Sequence, residues 1–238
     1  MPTPPPDKPK AAAVMSRYAA VLLDCDGVLV DSEPVWFEIL TSLTSRSEHR
    51  ASFSQDEITG KSLAECIQLI ERRSGHRVAP DFADEFRARA RELPSQAFTP
   101  VPGAVELVRH LVDEAALPIA VVSNSPAMQV RKALRGAGLA DLVPFDRVVT
   151  GPEHHTFKPD PELYHIAAGL LGVSAADCLV VEDSDSGVVA GLESGATVLH
   201  LAPRQVDPPP TRYARPSARI HAIRLLADAM LYLDSDAS

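Results

Sequence analysis

Five short apolar runs decide most of what this chain can fold into. They fall at 19–24 (AAVLLD), 118–123 (PIAVVS), 147–150 (RVVT), 178–182 (CLVVE) and 196–201 (ATVLHL). Each is rich in Val or Leu and does not alternate with polar residues, the pattern of a strand covered on both faces. Helical patterns lie between them. PGAVELVRHLVDEA puts Val105, Val108, Leu111 and Val112 on one stripe, and DPELYHIAAGLLG offers Asp160 as cap, Pro161 as first helical residue and Gly172 as stop. Strands alternating with helices predict an α/β fold built on a doubly wound parallel sheet.

A segment of different character interrupts this alternation. Residues 34–100 hold helical patterns and no convincing strand, so they read as an insertion. DSEP opens the first helix, with Val35, Trp36, Ile39, Leu40 and Leu43 as its apolar face. SLAECIQLIERRSG follows, with Ser62 and Glu65 spaced as a capping box and Gly75 as terminator. PDFADEFRARAREL turns Phe82, Phe86 and Leu93 inward, and the prolines of FTPVPG mark the return to the sheet. The expected organisation is a tail over 1–17, a core from 18–33 and 101–238, and a helical cap over 34–100. A last helix is expected around HAIRLLADAML, after a proline-rich loop.

Composition narrows the function classes. No apolar run reaches the roughly 20 residues that span a bilayer, and the start MPTPPPDKPKAAAVMSR lacks the apolar stretch of a secretion signal. A cytoplasmic protein is expected, with a flexible tail at its start. Cys25, Cys66 and Cys178 are an odd number without metal spacing and read as reduced, buried thiols. The net charge of −9 disfavours nucleic acid as a partner. Nine Lys or Arg stand against ten Asp or Glu in 34–100, so the acidity belongs to the remainder of the chain.

The chemistry concentrates at strand ends. In an open parallel sheet the functional crevice lies outside the carboxyl ends of the strands. The first run ends on Asp24 and Asp26, two carboxylates one residue apart that repel unless a cation or a phosphate-handling site lies between them. The second ends on Ser123 and Asn124 in VVSNSP and the fourth on Glu182 and Asp183 in VVEDSDSG; Lys158 follows the third in FKPDPE. Together they put four carboxylates, a hydroxyl, an amide and one ammonium on a single rim.

That ordered set resembles the haloacid dehalogenase superfamily, whose four short motifs all occur between Asp24 and Asp185. The DGVLVDSE continuation and the helical insertion resemble the subgroup of β-phosphoglucomutase and small-molecule phosphatases. The DCDG and VEDS motifs are similar to those of bacterial 6-phosphogluconate phosphatases. The resemblance implies a Rossmann-like core with an inserted helical cap, and a magnesium-dependent phosphatase acting on a small sugar or sugar-acid phosphate through an aspartyl-phosphate. It implies Asp24 as nucleophile and Asp26 as general acid and base. Ser123 and Lys158 would hold the phosphoryl group, with Asn124 beside them, and Glu182 and Asp183 would bind Mg2+. The physics supports these roles, because a carboxylate attacking an anionic phosphate needs a hard cation that neutralises both. Asp24 and Asp183 can supply side-chain oxygens to it and Asp26 its main-chain carbonyl, while Gly27 lets the backbone turn beside the phosphate.

Two departures bear on the reaction. Trp36 stands where β-phosphoglucomutase-like sequences carry a histidine, and Leu63 in GKSL stands where they carry an arginine. Both weaken a mutase reading and leave Lys61 as the nearest cationic substrate contact. A β-phosphoglucomutase-like phosphotransferase and a non-catalytic phospho-Asp signalling domain remain the alternatives. Blander roles also exist: a turn for Asp26 before Gly27, helix capping for Ser123 and Asn124, an acidic helix cap for Glu182 and Asp183, and capping or site support for Ser184. A monomer with no membrane partner is expected.

Overall fold

The computed structural model describes residues 17–45, 53–58, 61–202 and 219–235. Almost all of the sequence-predicted tail, and the proline-rich loop apart from Ala202, lie outside them. The strands are β1 (Ala20–Asp24), β2 (Val30–Asp31), β3 (Thr99–Pro100), β4 (Ile119–Ser123), β5 (Val148–Thr150), β6 (Cys178–Glu182), β7 (Thr197–Leu201) and β8 (Ile220–Ile223). Six of them form one sheet in the order β5-β4-β1-β6-β7-β8, and every neighbouring pair is parallel. β1 is central, with Leu22 in register between Ala120 of β4 and Val180 of β6.

The helices are α1 (Glu33–Thr44), α2 (Gln55–Ile58), α3 (Leu63–Ser74), α4 (Phe82–Glu92), α5 (Ala104–Arg109), α6 (Ala127–Gly136), α7 (Gly151–His154), α8 (Glu162–Leu170), α9 (Asp185–Glu193) and α10 (Leu226–Ser235). Both faces of the sheet are covered, as the unbroken apolar runs require. Val21 and Leu23 of β1 face one cluster with Leu107 of α5, Leu134 of α6 and Leu226 of α10. Ala20 and Leu22 face the other, with Leu163 and Tyr164 of α8 and Val188 of α9.

Helices α1–α4 carry a third cluster of their own, centred on Ile39, Leu40, Cys66, Ile70 and Phe82. The chain leaves the sheet layer through β2 and returns through β3, and these pair antiparallel, Val30 with Pro100 and Asp31 with Thr99. Trp36 packs against both the first and the third clusters, its ring 5.9 Å from those of Phe86 and Phe98. The capping box forms: Ser62 Oγ accepts the Glu65 N–H, and the Glu65 carboxylate accepts the Ser62 N–H. Gly75 ends α3 in the left-handed region at φ 74°.

Several expectations need correction. The stretch around His221 is the edge strand β8, and the last helix starts only at Leu226. β8 escapes the apolar-run pattern because its middle residues, His221 and Ala222, are exposed. α8 begins at Glu162, so Pro161 precedes it; the Asp160 carboxylate still caps it by accepting the Glu162 N–H at 2.9 Å. The stripe after Gly103 runs through Ala104, Leu107, Val108 and Leu111, leaving Val112 38% exposed, as the helix loosens into a π turn over His110–Glu114. Cys25, Cys66 and Cys178 are free and buried. Among the described residues no helix is long and apolar enough to cross a membrane.

Candidate active site

Strand order reverses around β1, so the carboxyl ends of β1, β4 and β6 open on one crevice. Asp24 closes β1, Ser123 closes β4 and Glu182 closes β6, and each is buried. Lys158 arrives from the loop before α8 and is itself 6% exposed. Its ammonium donates to Asp24 Oδ1 at 2.6 Å, Glu182 Oε1 at 2.5 Å and the Val122 carbonyl at 2.8 Å. Burial opposes that charge, but Asp24 and Glu182 outweigh it and hold the ammonium well above its ordinary pKa.

Negative charge nevertheless exceeds positive here. Asp24, Glu182 and Asp183 each bring a carboxylate oxygen within 4.8 Å of the others, against one ammonium. Burial, then Glu182, pushes the Asp24 carboxyl up to about 8 despite Lys158. Burial and Asp24 raise Asp183 well above the carboxylate range. Asp183 Oδ1 is buried and has no hydrogen-bond partner. Buried carboxylate oxygens are ordinarily satisfied, so an orphaned oxygen beside Asp24 fits a hard, oxygen-seeking cation. Glu182 differs, because both of its oxygens are engaged. Oε1 accepts from Lys158 and the Tyr164 hydroxyl, and Oε2 from the Asp183 and Ser184 N–H groups and the Ser184 hydroxyl.

Asp26 follows two residues after Asp24 and is half-buried. Oδ1 accepts the Ser32 hydroxyl at 2.6 Å and Oδ2 the Ser125 hydroxyl at 2.9 Å. A hydroxyl can donate or accept, so this pair can keep the carboxyl oriented in either protonation state. Gly27 has φ +83°, and a Cβ there would overlap the Asp183 carboxylate. The Cys25 thiol between the two aspartates is pushed well above its usual pKa by burial and serves as apolar filling.

Other predicted residues take less direct places. The Asn124 amide spans the Lys158 backbone, accepting its N–H at 2.9 Å and donating to its carbonyl at 3.2 Å. Ser123 Oγ accepts the Ser125 N–H at 3.0 Å. Ser184 both caps α9 through the Gly187 N–H and supports Glu182. Lys61 is exposed at the start of α3, and no described contact joins it to the carboxylates. Leu63 packs into the α1–α4 cluster. Ser32, Ser125 and Tyr164 escaped the sequence reading. Ser125 had a signal in its place two residues after Ser123, whereas Tyr164 reads as one more apolar residue of α8.

A family model of haloacid dehalogenase-like hydrolases matches residues 18–195. The chain belongs to this family. Among curated relatives, 6-phosphogluconate phosphatase of Escherichia coli is 29% identical over 192 residues, 79% of this chain and 84% of that protein. Hexitol phosphatase A of the same organism is 29% identical over 77% of this chain and 82% of its own length. A phosphorylated carbohydrates phosphatase of Thermotoga maritima is 28% identical over 74% of this chain and 81% of its own. Among solved structures, a haloacid dehalogenase family hydrolase from Deinococcus radiodurans, with bound phosphate and sodium, superposes with a TM-score of 0.74 at 29% identity. The match covers 93% of this chain and 97% of that one.

Proposed function

We propose that this hydrolase of phosphoric monoesters removes phosphate from a small sugar or sugar acid, by way of a phosphoryl group carried on Asp24. One observation carries the reading: the Asp24 carboxylate accepts from the buried Lys158 ammonium and shares a cluster with Asp183, whose Oδ1 is unpartnered, while two hydroxyls hold the Asp26 carboxyl. Relatives named for 6-phosphogluconate, hexitol and phosphorylated-carbohydrate phosphatases support the substrate class.

In the first step an Asp24 oxygen forms a bond to phosphorus as the ester oxygen leaves, and Asp26 delivers the proton that oxygen needs. In the second, Asp26 takes a proton from water, whose oxygen attacks phosphorus and restores the Asp24 carboxylate. Ser32 and Ser125 keep Asp26 aimed through both steps. Lys158 offsets charge on the transferring oxygens. Asp24 and Asp183 would hold Mg2+ with the Asp26 carbonyl, and when bound the ion supplies the neutralising charge that lets one anion approach another. Glu182 fits a part in anchoring Lys158 better than one as a direct ligand, because its oxygens are already engaged. The helices between β2 and β3 would act as a cap that shuts water out of the first step and admits it for the second.

Hydrolysis is favoured over phosphoryl return to a sugar. Trp36 is packed between aromatic rings and Leu63 in an apolar cluster, so neither position offers a cation for a second phosphate. The decisive experiment is phosphate release from a panel of sugar, sugar-acid and short-acid phosphates, with Mg2+ or chelator, beside Asp24→Asn. Metal-dependent turnover abolished in the variant is expected. An Asp24→Asn enzyme as fast as its parent would end the reading.

A further inference from the structure

We propose that Tyr164 is a positioning residue for this site, holding Glu182 so that Lys158 can transfer one of its hydrogen bonds to a phosphoryl oxygen. The proposal rests on the phosphatase reading and adds a residue that reaches the site from inside the core. Tyr164 is fully buried in α8 among Leu163, Ala167 and Val188. Its ring fills the core, but its hydroxyl points toward the crevice and donates to Glu182 Oε1 at 2.9 Å. The Lys158 ammonium also lies 5.3 Å from the centroid of the same ring, within cation–π range.

The donor count gives this contact its meaning. An ammonium has three protons, and those of Lys158 face three acceptors: Asp24 Oδ1, Glu182 Oε1 and the Val122 carbonyl. A phosphoryl oxygen arriving on Asp24 can be served only if one of these is released. Glu182 Oε1 already has a second donor in Tyr164, so it keeps a hydrogen bond when Lys158 turns away. Without that hydroxyl the exchange would strip a wholly buried carboxylate oxygen, which is strongly unfavourable. The aromatic face meanwhile remains beside the ammonium wherever its protons point. A side chain serving only as core filler would need the ring and not the hydroxyl.

The test compares Tyr164→Phe and Tyr164→Leu with the parent on the ester the parent hydrolyses best. It reads kcat/KM, the inhibition constant of inorganic phosphate and the thermal unfolding midpoint. Tyr164→Phe is expected to lose about tenfold or more in kcat/KM, the range for a hydrogen bond to a charged group. Phosphate affinity should fall in parallel while the midpoint stays within a few degrees. Tyr164→Leu should lose more, because the ring goes too. Tyr164→Met provides the same reading if the Phe variant does not fold, since it also lacks the hydroxyl. Parent-like kcat/KM and phosphate affinity in a folded variant without the hydroxyl would overturn the proposal, as would a loss explained by the unfolded fraction alone. A parent that neither hydrolyses any ester nor binds inorganic phosphate instead overturns the phosphatase reading, and this inference with it.

Discussion

At the scale of single residues, Asp183 shows how the site is assembled by exclusion as well as by contact. Its carboxylate occupies the space that a side chain at residue 27 would need, and only glycine leaves it there. Gly27→Ala should therefore fold, with some strain at φ +83°, and lose at least about tenfold in Mg2+ affinity, as displaced ligand supports do. Titration calorimetry with Mg2+ measures this, and unchanged affinity would remove Asp183 from the proposed ligand set. Much of the site could be read from the sequence because each strand of the crevice ends on its own polar residue, so Asp24, Ser123 and Glu182 announce themselves where an apolar run stops. The supporting residues were hidden for physical reasons. Ser32 and Ser125 come together on Asp26 across 93 positions of chain, and the function of Tyr164 lies in one hydroxyl on an otherwise apolar ring.

At the scale of elements, apolar patterning located β1, β4, β5, β6 and β7 to within a residue, because strands covered by helices on both faces are apolar along most of their length. It failed where burial is partial. The edge strand β8 and the two-residue strands β2 and β3 have too little buried surface to leave a pattern. Yet β2 and β3 matter, since they are the paired exit and return of the helical insertion. Trp36 lies at that junction, joining the α1–α4 cluster to the sheet layer through Phe86 and Phe98. It is the chain's one tryptophan, so its fluorescence reports on this contact directly. Trp36→Ala should cost about 2–4 kcal/mol, toward the lower part of the range for large aromatic truncations because the ring is only partly buried. Urea unfolding followed by circular dichroism gives the value, and a cost below about 0.5 kcal/mol, ordinary for a surface residue, would mean the insertion is not anchored there.

At the scale of the whole molecule, the excess of buried negative charge makes stability depend on pH and on metal together. Without metal, burial and Glu182 raise the Asp24 carboxyl to about 8, from 3.8 when unfolded, and Asp183 rises as well. Both groups thus bind protons more tightly in the folded protein than in the unfolded chain. Their stabilising protonation is fully present below about pH 4, the unfolded carboxylate range, and is lost as pH rises through the folded value near 8. Stability in chelator should consequently fall between pH 5 and 8, by at most about 1.4 kcal/mol per pH unit for each proton released. Mg2+ favours the ionised carboxylates, so saturating metal should flatten the decline and stabilise most at the alkaline end. Asp24→Asn removes one titrating group and should flatten the chelator curve without needing metal. Urea midpoints at pH 5, 6, 7 and 8, with chelator and with Mg2+, test all three statements. A parent whose stability in chelator rises steadily to pH 8 would mean that Lys158 alone balances the cluster, and that the orphaned Asp183 oxygen needs no cation.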